Sequence, residues 1–229
     1  MEELELLFES WKKKEKHLGK IFNSDGIICE EEWKRQDKKI LFILKEAYHR
    51  DIKIVSDYDL AGDLRETGPW STMWYRIAEW AYGMINTTSE HIKPYKKLTR
   101  FEEKSYVSKV AVMNIKKSDG KSKSNNEDII QYAEYDAEEI LREIEIINPD
   151  IIVCGYTIGP LNAALKKMDP TFIPFKSNKK TASENYHYVW KNRIIIDYYH
   201  PANRYPALMS YYGLMGCYID ALRNDIIIK

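Results

Sequence analysis

Three polar residues stand at or near the ends of apolar runs that lie far apart in the chain. Glu46 follows Ile40-Leu-Phe-Ile-Leu44, Asn114 closes Lys109-Val-Ala-Val-Met, and His200 follows Arg193-Ile-Ile-Ile-Asp-Tyr-Tyr199. An acid, an amide and an imidazole delivered by three separate strands suit a cleavage that separates charge. A carboxylate orients a water or stabilises a sugar cation, as in oxocarbenium-like glycoside chemistry. An imidazole stabilises negative charge on a departing group. The asparagine amide offers a donor and an acceptor in one plane, which matches the edge of a nucleobase. Each residue also has a plain structural counterpart: Glu46 pairing with a lysine, Asn114 capping a turn, His200 satisfying a carbonyl.

That chemistry needs elements which bring the three together. The runs before Glu46 and His200 are rich in β-branched and aromatic residues, so they read as buried strands. Pro201 ends the last one, because proline cannot donate to a ladder and holds its predecessor extended. A further strand, Ile151-Ile-Val-Cys154, ends at Gly155. Helical spacing predicts helices over 2–18, 71–85, 127–147, from near Pro160 to Met168, and over 204–223, with a polar helical segment over about 88–106. Residues 45–70 read as a long loop over the strand ends, and 172–190 as a strand pair or hairpin. Strand–helix alternation predicts an α/β fold: a three-layer αβα architecture around a central four-stranded, mainly parallel sheet joined by right-handed crossovers. The carboxyl ends of parallel strands share one sheet edge, so Glu46, Asn114, Gly155 and His200 would converge on one cleft. The chain reads as a single domain, 1–229, with residues 1–38 a helical extension packed on it.

Composition narrows the classes. The 229 residues carry 35 basic and 35 acidic side chains, which counts against a protein that coats nucleic acid non-specifically. No apolar run reaches the roughly 20 residues that cross a bilayer, and the start of the chain has no signal-peptide core, so a cytoplasmic location without a membrane partner is expected. Three widely spaced cysteines, Cys29, Cys154 and Cys217, lack the ligand count of a zinc site or a four-cysteine cluster. Neither a metal nor another cofactor is expected. Lys116, Lys117, Lys121 and Lys123 leave the same sheet edge in a basic loop, and Arg204 precedes a helix, so these five are candidates for phosphate contacts. The loop also reads as a solvated excursion.

The segments resemble the motifs of the uracil-DNA glycosylase superfamily. Leu44-Lys-Glu-Ala-Tyr-His49 stands in register with the family's Gly-Gln-Asp-Pro-Tyr-His motif, and Val112-Met113-Asn114 is similar to its Leu-Leu-Asn motif. Ile152-Val-Cys-Gly155 matches its third strand, and His200-Pro-Ala-Asn-Arg204 its His-Pro-Ser motif and DNA-probing loop. Order and approximate spacing agree from about residue 40 to 223. Glu46 stands for the family's aspartate, Lys45 for its glutamine and Ala47 for its proline, and its base-stacking phenylalanine has no clear counterpart. The resemblance implies a uracil-DNA glycosylase-like fold and a DNA glycosylase that extrudes a deaminated or damaged base and hydrolyses its N-glycosidic bond. Glu46 and His200 would be catalytic, Asn114, Tyr48 and His49 would contact the base, and DNA would be the partner. The alternatives are a non-catalytic nucleic-acid or protein-binding module on the same fold, or a hydrolase of a small nucleoside or nucleotide.

Overall fold

The computed structural model describes residues 2–47, 57–121, 123–176 and 186–224. It is a mixed α/β fold built on a six-stranded, mainly parallel sheet. Four long strands, β3 (Ile40–Glu46), β5 (Ala111–Lys116), β6 (Ile151–Gly155) and β8 (Arg193–Tyr198), run parallel in the order β5-β3-β6-β8. Two short strands add antiparallel edges: β2 (Gly26–Ile27) beside β5, and β7 (His187–Trp190) beside β8. The expected four-stranded sheet is thus the parallel centre of a wider one. β7 falls within the 172–190 segment read as a strand pair or hairpin and pairs with β8, whereas β2, only two residues long, escaped notice.

Both faces of the parallel strands are apolar, as a sheet covered on two sides requires. Side chains alternate by pleat. Ile40, Phe42 and Leu44 face one cluster with α3 (Leu60–Thr67), α4 (Thr72–Asn86), α5 (Arg100–Val107) and α9 (Ala207–Arg223). Leu41 and Ile43 face the other with α1 (Glu2–Trp11), α6 (Asn126–Tyr135), α7 (Ala137–Ile147) and α8 (Ile158–Met168). The chain leaves β3 for β5 over the first face and returns from β5 to β6 over the second. Strand order therefore reverses between β3 and β6, the topological switch point at which doubly wound sheets take ligands.

Several expected boundaries move for identifiable reasons. The helix expected over 127–147 breaks at Asp136, whose fully buried carboxylate accepts from His17 Nε2 at 2.9 Å and pairs with Lys14 at 3.1 Å. The first helix stops at Trp11 and gives way to a 3₁₀ turn, Glu15–His17, that carries this histidine inward. The polar segment over 88–106 is helical only from Arg100, where Thr99 and Glu102 form a reciprocal capping box. Within the expected loop over 45–70, β4 (Tyr58–Asp59) pairs with β1 (Asn23–Ser24), and Asp59 caps α3 through Gly62 N–H. The first 38 residues supply β1, β2 and α2 (Glu30–Lys34) as well as α1, so they extend the sheet rather than only packing on it. Among the described residues no helix is long and apolar enough to cross a membrane.

Candidate functional site

His200 lies two residues beyond β8, in a turn that folds back on itself. Its main-chain oxygen accepts from Asn203 N–H and Nδ2, both at 2.9 Å, and its Nδ1 accepts from Ala202 N–H at 3.1 Å. With Nδ1 an acceptor, a neutral ring holds its proton on Nε2. Burial, assisted by the nearby Lys45 ammonium, lowers the imidazole pKa to about 4. The ring is therefore a neutral donor at physiological pH.

The turn is held by a residue that sequence reasoning missed. Arg76, buried in α4, donates from Nη1 to Pro201 O at 2.9 Å, Asn203 O at 2.7 Å and Asn203 Oδ1 at 3.0 Å, and from Nη2 to Tyr205 O at 3.0 Å. One planar guanidinium thus fixes the backbone of the whole turn. The available signal was a charge inside an otherwise apolar, tryptophan-rich helix. Arg76→Met is expected to cost about 2 kcal/mol or more, since bonds to a charged donor are lost and buried carbonyls are left unpaired. Urea unfolding checks this. Arg76→Lys should restore little, because an ammonium lacks the fork.

Gly155 brings β3, β6 and this turn together. A Cβ there would meet Leu44 Cδ2 at 3.1 Å, Ile43 O at 3.3 Å and Pro201 Cδ at 3.3 Å. Next to it Tyr156 adopts φ 64°, a left-handed conformation unusual for a bulky side chain. Its N–H is shared between Cys154 O at 2.9 Å and Tyr198 O at 2.8 Å. Thr157 Oγ1 donates to Ile43 O at 2.8 Å, tying the β6 exit to β3.

Glu46 ends β3 opposite Lys116 of β5. Its Oε2 pairs with Lys116 Nζ at 3.1 Å, and its Oε1 is buried with no hydrogen-bond partner among the described residues. Gly120 covers it: a Cβ at Gly120 would lie 2.5 Å from the Glu46 Cδ, and Gly120 N–H donates to Ala47 O at 2.8 Å. Lys116 also pairs with Asp128 at 2.8 Å. Burial works against its charge, but the carboxylates of Asp128 and Glu46 outweigh burial and raise its pKa.

Asn114 is buried in β5. Its backbone N–H donates to Asp25 Oδ2 at 2.7 Å and its Nδ2 to the same oxygen at 3.2 Å. Part of the amide is thus committed to the protein itself. Asp25 Oδ1 pairs with Lys117 Nζ, which also lies 2.8 Å from Glu143 Oε2 of α7, and all three side chains are fully buried. Asp25 is a second residue that the sequence did not disclose.

Two of the five expected phosphate ligands are corrected. Lys117 has no exposed surface and Lys116 is almost wholly enclosed, each spent on internal carboxylates. Lys121, Lys123 and Arg204 are exposed. Tyr48 and His49 lie outside the described residues. A groove of about 610 Å³ bounded by α1, α7, α8 and Trp190 includes none of the candidate residues. Among the described residues no group of three or more His, Cys, Asp or Glu side chains could hold a metal ion. The chain matches no family model and no curated protein.

Proposed function

We propose that this chain is an N-glycosidic-bond hydrolase of uracil-DNA glycosylase-like fold, acting on a base extruded from DNA. The observation that carries the reading is His200: a half-buried, neutral imidazole whose Nδ1 accepts from Ala202 N–H and so leaves the proton on Nε2, set at the exit of a central strand. As the C1′–N bond breaks, its electron pair moves to the base nitrogen. A neutral N–H donor beside the base stabilises that charge without first losing a proton. Water supplies the oxygen that bonds to C1′. The unpartnered Oε1 of Glu46 is the acceptor that would orient it, while Lys116 holds the other carboxylate oxygen. Lys121, Lys123 and Arg204 remain for phosphates, and Leu208 and Met209 stand exposed on the first turn of α9, where unstacked bases could meet apolar surface.

The test is abasic-site formation on single- and double-stranded oligonucleotides carrying uracil, hypoxanthine, xanthine or an alkylated base. Activity on at least one is expected, lowered about 10²-fold by Glu46→Gln. One observation favours a second reading: Glu46 is enclosed beneath Gly120 and ion-paired, as a purely structural carboxylate would be. Salt-sensitive DNA binding with no cleavage across the panel would overturn the hydrolase and leave a binding module.

A further inference from the structure

Glu46 is enclosed by a short strap of backbone. Its side chain is 3% exposed, and its Oε1 has no hydrogen-bond partner among the described residues. The cover is Gly120, in the segment that leaves β5 for α6. A Cβ on Gly120 would lie 2.5 Å from both Cγ and Cδ of Glu46 and 2.7 Å from Ala47 O, so only glycine fits there. Up to Asp119 this segment is firmly anchored. Lys117 O accepts from Asn23 N–H at 2.7 Å and from Asn23 Nδ2 at 2.9 Å. Ser118 pairs with Phe22 in an isolated antiparallel bridge, and Asp119 N–H donates to Ile21 O at 3.0 Å. Beyond Asp119, one hydrogen bond holds the tip among the described residues: Gly120 N–H to Ala47 O at 2.8 Å. Closing the strap therefore gains one backbone bond of modest net worth, and it strips water from a carboxylate oxygen that finds no other donor. Opposed terms of similar size leave open and closed forms close in free energy.

We propose that Asp119–Lys121 is an autoinhibitory strap, closed over Glu46 in this structure, and that Gly120 must swing away from Ala47 before the carboxylate meets water or ligand. The inference rests on the role given to Glu46 above and names how that role is regulated. Oε1 cannot orient a water while backbone fills the space beside it. The hinge lies after Asp119, where the anchoring ends. Lys116 holds Oε2 at 3.1 Å from the β5 side, so the position of the acid does not depend on the strap. The observed rate is then the rate of the open form multiplied by the fraction open, as for any protein whose competent state is only part of the population. An enclosed Glu46 and a working Glu46 are two states of one loop.

The experiment labels the carboxyl groups of the full chain with a water-soluble carbodiimide and glycine ethyl ester, and follows Glu46 by mass spectrometry against the exposed Glu134. Gly120→Ala cannot close, so its Glu46 should label about tenfold faster than in the wild type or more, because opening no longer limits access. Base release should rise with it, and the urea midpoint should stay at the wild-type value. A glycine that only shapes a turn would instead give a lower midpoint and a Glu46 that is still protected. Hydrogen exchange in the wild type supplies a second measurement that does not depend on the variant folding. The Gly120 amide should be protected about tenfold less than the Asp119 amide, or less still, because the tip opens without its anchored base. Equal protection of the two amides, or unchanged labelling of Glu46 in Gly120→Ala, overturns the strap. A Glu46 that labels readily while base release falls overturns the autoinhibition. Opening shown by both measurements in a chain that cleaves nothing keeps the strap and sinks the hydrolase.

Discussion

His200→Ala is expected to lower base release about 10³-fold, the scale on which removal of one well-placed donor to a developing anion acts, with the folded structure retained. The side chain stands at the end of β8, and the turn around it is held mainly by Arg76 and Asn203, so truncation leaves the scaffold's own bonds in place. The pH dependence has a defined sign. Burial and Lys45 hold the ring's pKa at about 4, so the neutral donor persists from about pH 5 to 8. No loss of rate from this group is expected until pH falls toward about 4. Stability follows the same ionisation. The unfolded imidazole takes up a proton near its ordinary value while the folded one does not. Its contribution is therefore complete above about pH 6.5 and is lost as pH falls toward about 4, by up to about 3 kcal/mol. Alanine removes that slope. An activity profile together with urea midpoints for wild type and variant checks both effects. A wild-type rate titrating near pH 6.5 would show that the ring is solvated and that the assignment is wrong.

How much of this could be read from the sequence depends on what kind of force sets each feature. The parallel strands were legible because strands buried on both faces must be almost continuously apolar, and Ile40–Leu44, Ile151–Cys154 and Ile194–Ile196 have that composition. Their shared carboxyl edge follows from the strands being parallel, whereas their order, β5-β3-β6-β8, was not legible. The fate of single charges was less legible, because an ion pair is set by a partner far away in the sequence. A lysine-rich loop reads as solvated, yet Lys117 is buried and Lys121 is not. The pleat held a clue: Ala111, Met113, Ile115 and Lys117 share parity, and the first three pack toward α1 and α7. Continuing that alternation by one step places Lys117 inside, where Asp25 and Glu143 wait. Asp136 carries a similar signal, between Ala133 and Ile140 in the apolar register of a helix that breaks there. Arg76 gives less away, since only its setting among apolar neighbours hints that four carbonyl-type acceptors converge on it.

Lys117→Met is expected to be the most damaging substitution to stability, costing about 3–5 kcal/mol at neutral pH, because it strips from two buried carboxylates the one cation that pairs with them among the described residues. The ammonium sits between Asp25 and Glu143 and lies 5.1 Å from the Phe8 ring centre and 5.2 Å from that of Trp11. Burial alone would lower its pKa, but the two carboxylates raise it, so it stays charged. Burial and the neighbouring Asp25 push Glu143 well above the usual carboxylate range, with the Lys117 ammonium pulling the other way. Without Lys117 both acids lose their counter-charge, and nothing then opposes the burial that favours a protonated Glu143. The folded variant then holds more protons than its unfolded chain, so its stability should fall as pH rises through the ordinary carboxylate range and above. The deficit relative to wild type should accordingly shrink when urea midpoints are measured at about pH 5 instead of about pH 7. Lys117→Met combined with Glu143→Gln should recover part of the loss, because the amide removes one of the stranded charges. Equal stability of Lys117→Met and wild type at neutral pH would show that water reaches this cluster. The consequence extends to the site, since Asp25 accepts both the backbone and the side-chain N–H of Asn114. Asp25 stripped of its lysine holds the end of β5 and the amide beside the cleft less firmly, and base release should fall in the single variant and rise again in the double.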